Sequence, residues 1–166
     1  MNVPMVDLQA QYAELRDKVR SAVDEVFESQ KFILGTQVAA LEKEIAAYCG
    51  VPYAVGVASG TDALFLSLKA IGARSGDGVV TTPFTFFATA GAIVNVGARP
   101  LFVDIDEASF NLDPDALARF LERECTWDPP AGRVIHRGSM TRVTAILPVH
   151  LYGQCAEMDT IMQLAA

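Results

Sequence analysis

Ser59-Gly60-Thr61-Asp62 is the segment of this sequence best suited to chemistry. The apolar run Tyr53–Ala58 ahead of it reads as a buried strand, and a helix opens at Thr61 and Asp62. A glycine at such a turn lets a backbone approach a ligand closely. The first free N–H groups of the new helix point at the same spot, and the anion usually found there is a phosphate. The plain alternative is an ordinary helix start. Three other segments fall where strands should end: Pro83–Thr89, Asp104–Asp106 and His150–Gln154. Ligands of open α/β sheets bind beyond the carboxyl ends of the strands. There the four segments would offer an anion cradle, the aromatic faces of Phe84, Phe86 and Phe87, two carboxylates and an imidazole. Each has a structural alternative: core packing for the phenylalanines, loop capping for Asp104 and Asp106, a hydrogen-bonded wall for His150.

The elements that must position these residues follow from periodicity. Tyr12, Leu15, Val19, Val23, Val26 and Phe27 mark a first amphipathic helix. Phe32–Gly35 interrupts it, and Val38, Leu41, Ile45 and Tyr48 mark a second helix that Gly50 stops. Beyond the strand at Tyr53–Ala58 and the helix from Thr61 to Ile71, Arg74–Gly78 forms a turn and Val79–Thr82 a short strand. Phe86–Val96 is small and apolar enough to be a packed helix, and Leu101–Ile105 is another buried strand. Asp113-Pro114 starts a helix, with a capping carboxylate and proline at the first helical position. Cys125–Thr141, with Pro129, Pro130, Gly132 and Gly138, reads as a long surface loop; Thr144–His150 is strand-like, and Glu157–Ala166 begins a helix. Strands alternating with helices from Tyr53 onward imply an α/β domain with a mostly parallel, buried sheet of about four strands. The division expected is a helical segment over 1–50 and a domain over 51–166. The sequence stops inside an apparent helix, so we expect a piece of a longer protein.

Composition narrows the function. Apolar residues make up 51% of 166 residues, which is a globular composition. The net charge is −7 with no basic block, which argues against nucleic acid or an anionic membrane as partner. No signal peptide and no run near the length of a membrane span is visible. Cys49, Cys125 and Cys155 are far apart and fit no metal-ligand spacing, so reduced thiols in the cytoplasm are expected and no metal site is. Cys49 is expected to pack as a small core residue. No strand is followed by Gly-x-Gly-x-x-Gly, which weighs against a non-catalytic domain binding nucleotides or sugar nucleotides.

The order and wording of the segments are more specific than any one of them. Ser-Gly-Thr-Asp-Ala-Leu, Thr-Pro-Phe-Thr-Phe-Phe-Ala-Thr-Ala, Pro-Leu-Phe-Val-Asp-Ile-Asp and Pro-Val-His-Leu-Tyr-Gly-Gln, in that order, resemble the DegT/DnrJ/EryC1/StrS family. Val6–Gln9 and Phe32–Val38 resemble that family's opening. The resemblance implies the N-terminal part of the large domain of a fold-type I transferase dependent on pyridoxal phosphate. It further implies an amino group moved from an amino acid such as glutamate to a nucleotide-linked keto sugar, for cell-surface polysaccharide or amino-sugar biosynthesis. On this resemblance Ser59, Gly60 and Thr61 hold the cofactor phosphate and Phe86 stacks on its ring. Phe32, Leu34, His150 and Tyr152 lie near the substrate, and the whole protein is a homodimer. The resemblance also implies a Schiff-base lysine in a Ser-Phe-x-x-x-Lys setting and an aspartate in Glu-Asp-x-Ala-Gln, both after His-Leu-Tyr-Gly. Lys18, Lys31, Lys43 and Lys69 have no such setting, so this chain is expected to lack the catalytic lysine and the C-terminal small domain, and to be inactive alone. Some relatives of this family carry histidine in place of the lysine and act as sugar dehydratases; that reading stays open here.

Overall fold

The computed structural model describes residues 5–166, in two compact units, Met1–Gly56 and Val57–Ala166. The first unit holds α1 (Leu8–Ser29) and α2 (Thr36–Cys49). Asp7 caps α1 by accepting the Ala10 N–H at 3.0 Å. Gln30 ends it in the left-handed conformation, its N–H on the Val26 and Phe27 carbonyls. Gly35 begins α2, and a side chain there would meet the Lys31 carbonyl at 2.6 Å, so only glycine fits. Cys49, expected in a core, is exposed at the last turn of α2.

The second unit is a mixed five-stranded sheet carrying helices. Its elements are α3 (Gly60–Ala70), β1 (Asp77–Thr81), α4 (Phe87–Asn95), β2 (Arg99–Phe102), α5 (Pro114–Glu124), β3 (Cys125–Asp128), β4 (Arg133–His136), β5 (Thr141–Ile146) and α6 (Met158–Ala165). The strand order is β2-β1-β5-β4-β3. β1 lies between β2 and β5 and is parallel to both, whereas β4 and β3 extend the sheet antiparallel. Two apolar clusters hold the layers together. Leu68, Ala73, Val79, Ala92, Ile93, Val96 and Ala98 join α3 and α4 to the sheet. Val80, Leu101, Val103, Leu112, Leu117, Phe120 and Ile161 join α5 and α6 to it. Val79 and Val80 point to opposite clusters, as adjacent residues of a strand buried on both faces must.

Two further expectations are corrected. Tyr53–Ala58 is not a buried strand: the segment pairs with no strand among the described residues, and Tyr53 and Val55 are 85% and 78% exposed. The Gly56 N–H instead donates to Glu42 Oε1 at 2.7 Å, a contact inside the first unit. An apolar run adopts a strand only where a ladder partner and a covered face exist, and these residues have neither here. Nor is Cys125–Thr141 a long loop. It contains the hairpin β3–β4, with Trp127 opposite Val134, turned through the 3₁₀ segment Pro129–Ala131 and a left-handed Gly132. The prolines and glycines mark that turn, while strands of four residues are too short for alternation to show.

Candidate functional site

The directions of the elements decide where the chemistry gathers. α3 is joined to β1 by the short turn 71–76, so it runs back against β1 and its N-terminus lies toward the carboxyl end of that strand. α4 leaves the same end through 82–86 and also runs back, since a side chain at Gly97 (φ +83°) would press on Ser75 in the turn before β1. The chain emerging from β5 stays at this end too. Leu147 N–H donates to the Val80 carbonyl at 2.7 Å, and Thr81 Oγ1 donates to the Leu147 carbonyl at 2.8 Å. Four sequence segments are therefore brought to one end of the parallel strands: 59–62, 82–89, 103–111 and 147–154.

At the first, Ser59 is the N-cap of α3. Its hydroxyl oxygen accepts the Asp62 N–H at 3.1 Å and its O–H lies 3.1 Å from Asp62 Oδ2, so the hydroxyl is engaged in capping. The N–H groups of Gly60 and Thr61 have no partner among the described residues. A Cβ built on Gly60 meets nothing within 4 Å, and its backbone does not need the left-handed region. Neither packing nor conformation within this chain calls for glycine there. A turn with two unpartnered N–H donors and no side chain on Gly60 is chemically able to take an anion.

At the second, Phe86 is the N-cap of α4 and is 77% exposed, so it is not a core residue. Thr82 and Thr89 are buried under the same turn. Thr82 Oγ1 accepts the Phe84 N–H at 3.3 Å, and Thr89 Oγ1 lies 2.9 Å from Thr85 Oγ1. These bonds fix the loop that presents Phe86. Pro83, Phe84, Thr85 and Phe86 form one wall of a cleft of about 350 Å³, and Leu151 and Tyr152 form the other.

Tyr152 is 93% exposed and left-handed (φ +53°), a conformation that costs a non-glycine residue about 1–2 kcal/mol. His150 Nδ1 accepts the Ala156 N–H at 3.1 Å, which ties that ring nitrogen to the turn. Asp106 closes a turn by accepting the Ala108 and Ser109 N–H groups at 3.2 and 2.8 Å. The Ser109 N–H and hydroxyl hold its carboxyl below its ordinary value against the opposing effect of burial, with a lesser contribution from the Ala108 N–H. The cap reading of Asp106 is thus the one the structure supports. No cluster of metal ligands occurs among the described residues.

One residue bearing on the cleft escaped the sequence reading. Asn111 is 2% exposed; its Nδ2 donates to the Gln154 carbonyl and its Oδ1 accepts the Leu151 N–H, both at 3.0 Å. The only signal for it was an asparagine inside the apolar context Phe110-Asn111-Leu112. Phe32 and Leu34 belong to the first unit, both exposed; Phe32 meets Phe27 edge to face at 5.8 Å, and Leu34 is left-handed (φ +49°). Lys69 stands at the last turn of α3, over the Phe65 ring and at the opposite end of the helix from Gly60.

The model of the DegT/DnrJ/EryC1/StrS aminotransferase family matches residues 13–166. A pleiotropic regulatory protein of Geobacillus stearothermophilus is 43% identical over 99% of this chain and 40% of its own length. UDP-N-acetyl-3-dehydro-alpha-D-glucosamine 3-aminotransferase of Acidithiobacillus ferrooxidans is 43% identical over 98% of this chain and 39% of its own. The chain thus spans about two-fifths of the length of the curated relatives it matches. Among solved structures, a DegT DnrJ EryC1 StrS aminotransferase from Brucella abortus superposes with a TM-score of 0.85 at 33% identity, over 99% of this chain and 41% of that one. NtdA from Bacillus subtilis, solved with bound cofactor PMP, gives 0.78 at 28% identity over 99% and 34%.

Proposed function

The chain belongs to the DegT/DnrJ/EryC1/StrS aminotransferase family, and from that premise we propose that the whole protein is a pyridoxal-phosphate-dependent aminotransferase acting on a nucleotide-linked keto sugar, with an amino acid such as glutamate as donor. One observation carries the cofactor assignment. An N-terminus with two free N–H donors and nothing over Gly60 lies at the same sheet end as an exposed aromatic at the start of α4. That pairing suits a ligand with a phosphate at one place and a flat ring at another.

The residues of this chain divide the work by chemistry. Gly60 and Thr61 donate their N–H groups to phosphate oxygens, and the positive end of α3 favours the same charge. The Thr61 hydroxyl is one more donor on that turn. Ser59 keeps the turn in shape through its bonds to Asp62. Phe86 offers a flat apolar face to the ring and keeps water from it. The bound cofactor supplies an electron sink through which an amino group leaves one carbon and joins another. Tyr152 and Leu151, across the cleft, border the space beside Phe86 where the cofactor ring and a substrate would meet. Lys69 is turned away from this end, and Lys18, Lys31 and Lys43 lack the Ser-Phe-x-x-x-Lys setting, so in this reading the amine that holds the cofactor comes from sequence outside this chain.

The test is turnover by the purified whole protein with glutamate and a UDP-linked 3-keto sugar, followed by mass spectrometry. The expected products are 2-oxoglutarate and the 3-amino sugar in equal amounts. Loss of water from the sugar with no consumption of glutamate would overturn the transferase reading in favour of a dehydratase. Failure of the protein to bind pyridoxamine phosphate would overturn the cofactor assignment itself.

A further inference from the structure

We infer that the turn Asp106–Asn111 is a brace that sets the two walls of the cleft against each other, with Asn111 the positioning residue for Tyr152. The inference rests on the cofactor assignment above and adds to it a residue that touches no ligand. The brace reaches both walls from below. Phe110 (φ +59°) lies tilted against Phe84 of the first wall, ring centres 5.9 Å apart. The next residue, Asn111, holds the second wall by both ends of its amide, on Leu151 N–H and the Gln154 carbonyl. Tyr152 sits between those two anchor points.

Three features show that this is a built arrangement. Asn111 is buried, and its two amide atoms are both matched to backbone partners of the opposite kind, which a carboxylate or an aliphatic side chain cannot reproduce. The brace is itself pinned, Asp106 N–H on the Asn111 carbonyl and Phe110 N–H on the Asp106 carbonyl, each at 2.9 Å. The turn it clamps is short and internally bonded, Gly153 N–H to the His150 carbonyl and Gln154 N–H to the Leu151 carbonyl. Tyr152 meanwhile projects outward from a left-handed backbone, a conformation that persists only where its surroundings impose it. The clamp imposes it, and the consequence is a tyrosine held at the border of the cleft across from Phe86.

The experiment is a double-mutant cycle in the whole protein, with pyridoxamine phosphate as the probe and calorimetry as the binding readout. Asn111→Asp keeps the acceptor for Leu151 N–H and sets a negative oxygen against the Gln154 carbonyl. We expect it to weaken the probe about tenfold, with amide exchange at Leu151 and Gln154 accelerated in the ligand-free protein. Tyr152→Ala should weaken the probe comparably while leaving that exchange slow. The double variant should bind no worse than Tyr152→Ala alone. Gly153→Ala, which strains the same turn at φ +83° without touching Asn111, should reproduce the binding loss if Asn111→Asp fails to fold. Multiplying losses in the double variant, or wild-type affinity in Asn111→Asp or Gly153→Ala, would overturn the brace and leave the cofactor assignment standing. No binding by the wild-type protein would overturn both.

Discussion

The two ends of the parallel strands are built on opposite principles. At the amino end of β1, Asp77 is 4% exposed and every oxygen is matched: Arg142 donates at 3.0 and 2.9 Å, and the Arg74 N–H at 3.1 Å. At the carboxyl end, two helix N–H groups lack partners among the described residues, Gly60 lies open, and Phe86 and Tyr152 stand exposed. The first end spends its polar groups on the protein itself. The second leaves donors and aromatic faces free for something else. On the proposed reading the difference separates residues whose loss costs stability from residues whose loss costs binding, and substitutions at each end test that separation.

The largest effect belongs to the closed end. Asp77→Ala leaves Arg142 beside a buried gap, and because that guanidinium is about one-third exposed the cost should fall at about 2–3 kcal/mol of stability, below that of a fully buried pair. Thermal unfolding measures it, and the affinity for pyridoxamine phosphate should not change. The pH dependence carries its own sign. Burial pushes the Asp77 carboxyl up, but the Arg142 hydrogen bonds, the Arg74 N–H and the Arg142 charge outweigh it and hold the group below its ordinary 3.8. A depressed carboxyl stabilises above its unfolded value and loses that contribution as pH falls through the folded one. The gap between wild type and Asp77→Asn should therefore be full at neutral pH and close only below about pH 4. A gap that widens in acid would refute the pairing.

At the open end the effects should appear in affinity. A Cβ at Gly60 meets nothing of this chain within 4 Å, so Gly60→Val should keep stability within about 0.5 kcal/mol. The same side chain would stand over the Gly60 and Thr61 donors, and pyridoxamine phosphate should bind about thirtyfold more weakly, roughly 2 kcal/mol. Equal affinity in the two proteins would show that the phosphate lies elsewhere. Phe86→Ala removes one stacking face from an exposed position and should cost about 1 kcal/mol of binding, roughly fivefold, with the melting temperature unmoved.

How far the sequence could be read differs between the same two ends. Ser59–Asp62, Phe86 and the Asp113-Pro114 helix start were legible because turn and cap chemistry is local: Asp113 does accept the Asp115 N–H ahead of α5. β1, β2 and β5 were legible as apolar runs, though each boundary moved by a few residues. What could not be read was pairing. Tyr53–Ala58 and Val79–Thr82 look alike as sequences, yet one has a strand on each side and the other has none among the described residues. Asp77 and Arg142 are 65 positions apart, and Asn111 reaches a turn 40 positions on. Such bonds depend on which strands become neighbours, and no local pattern encodes that.

Ser59 gives the smallest effect and the sharpest challenge to the division between ends. It stands at the open end, beside two donors assigned to a ligand, but its own hydroxyl is occupied by Asp62. If it works only as a cap, Ser59→Ala should cost about 0.5–1 kcal/mol of stability, the low side of the capping range because the site is exposed. Probe binding should then fall less than threefold, and Ser59→Asp, which restores a cap oxygen, should recover the stability while its charge opposes the phosphate. Were Ser59→Ala instead to leave the melting temperature untouched and weaken the probe as much as Gly60→Val, the hydroxyl would have to leave Asp62 for the ligand. The open end would then include its own cap, and the line between the residues that build this turn and those that bind there would fall on the other side of Ser59.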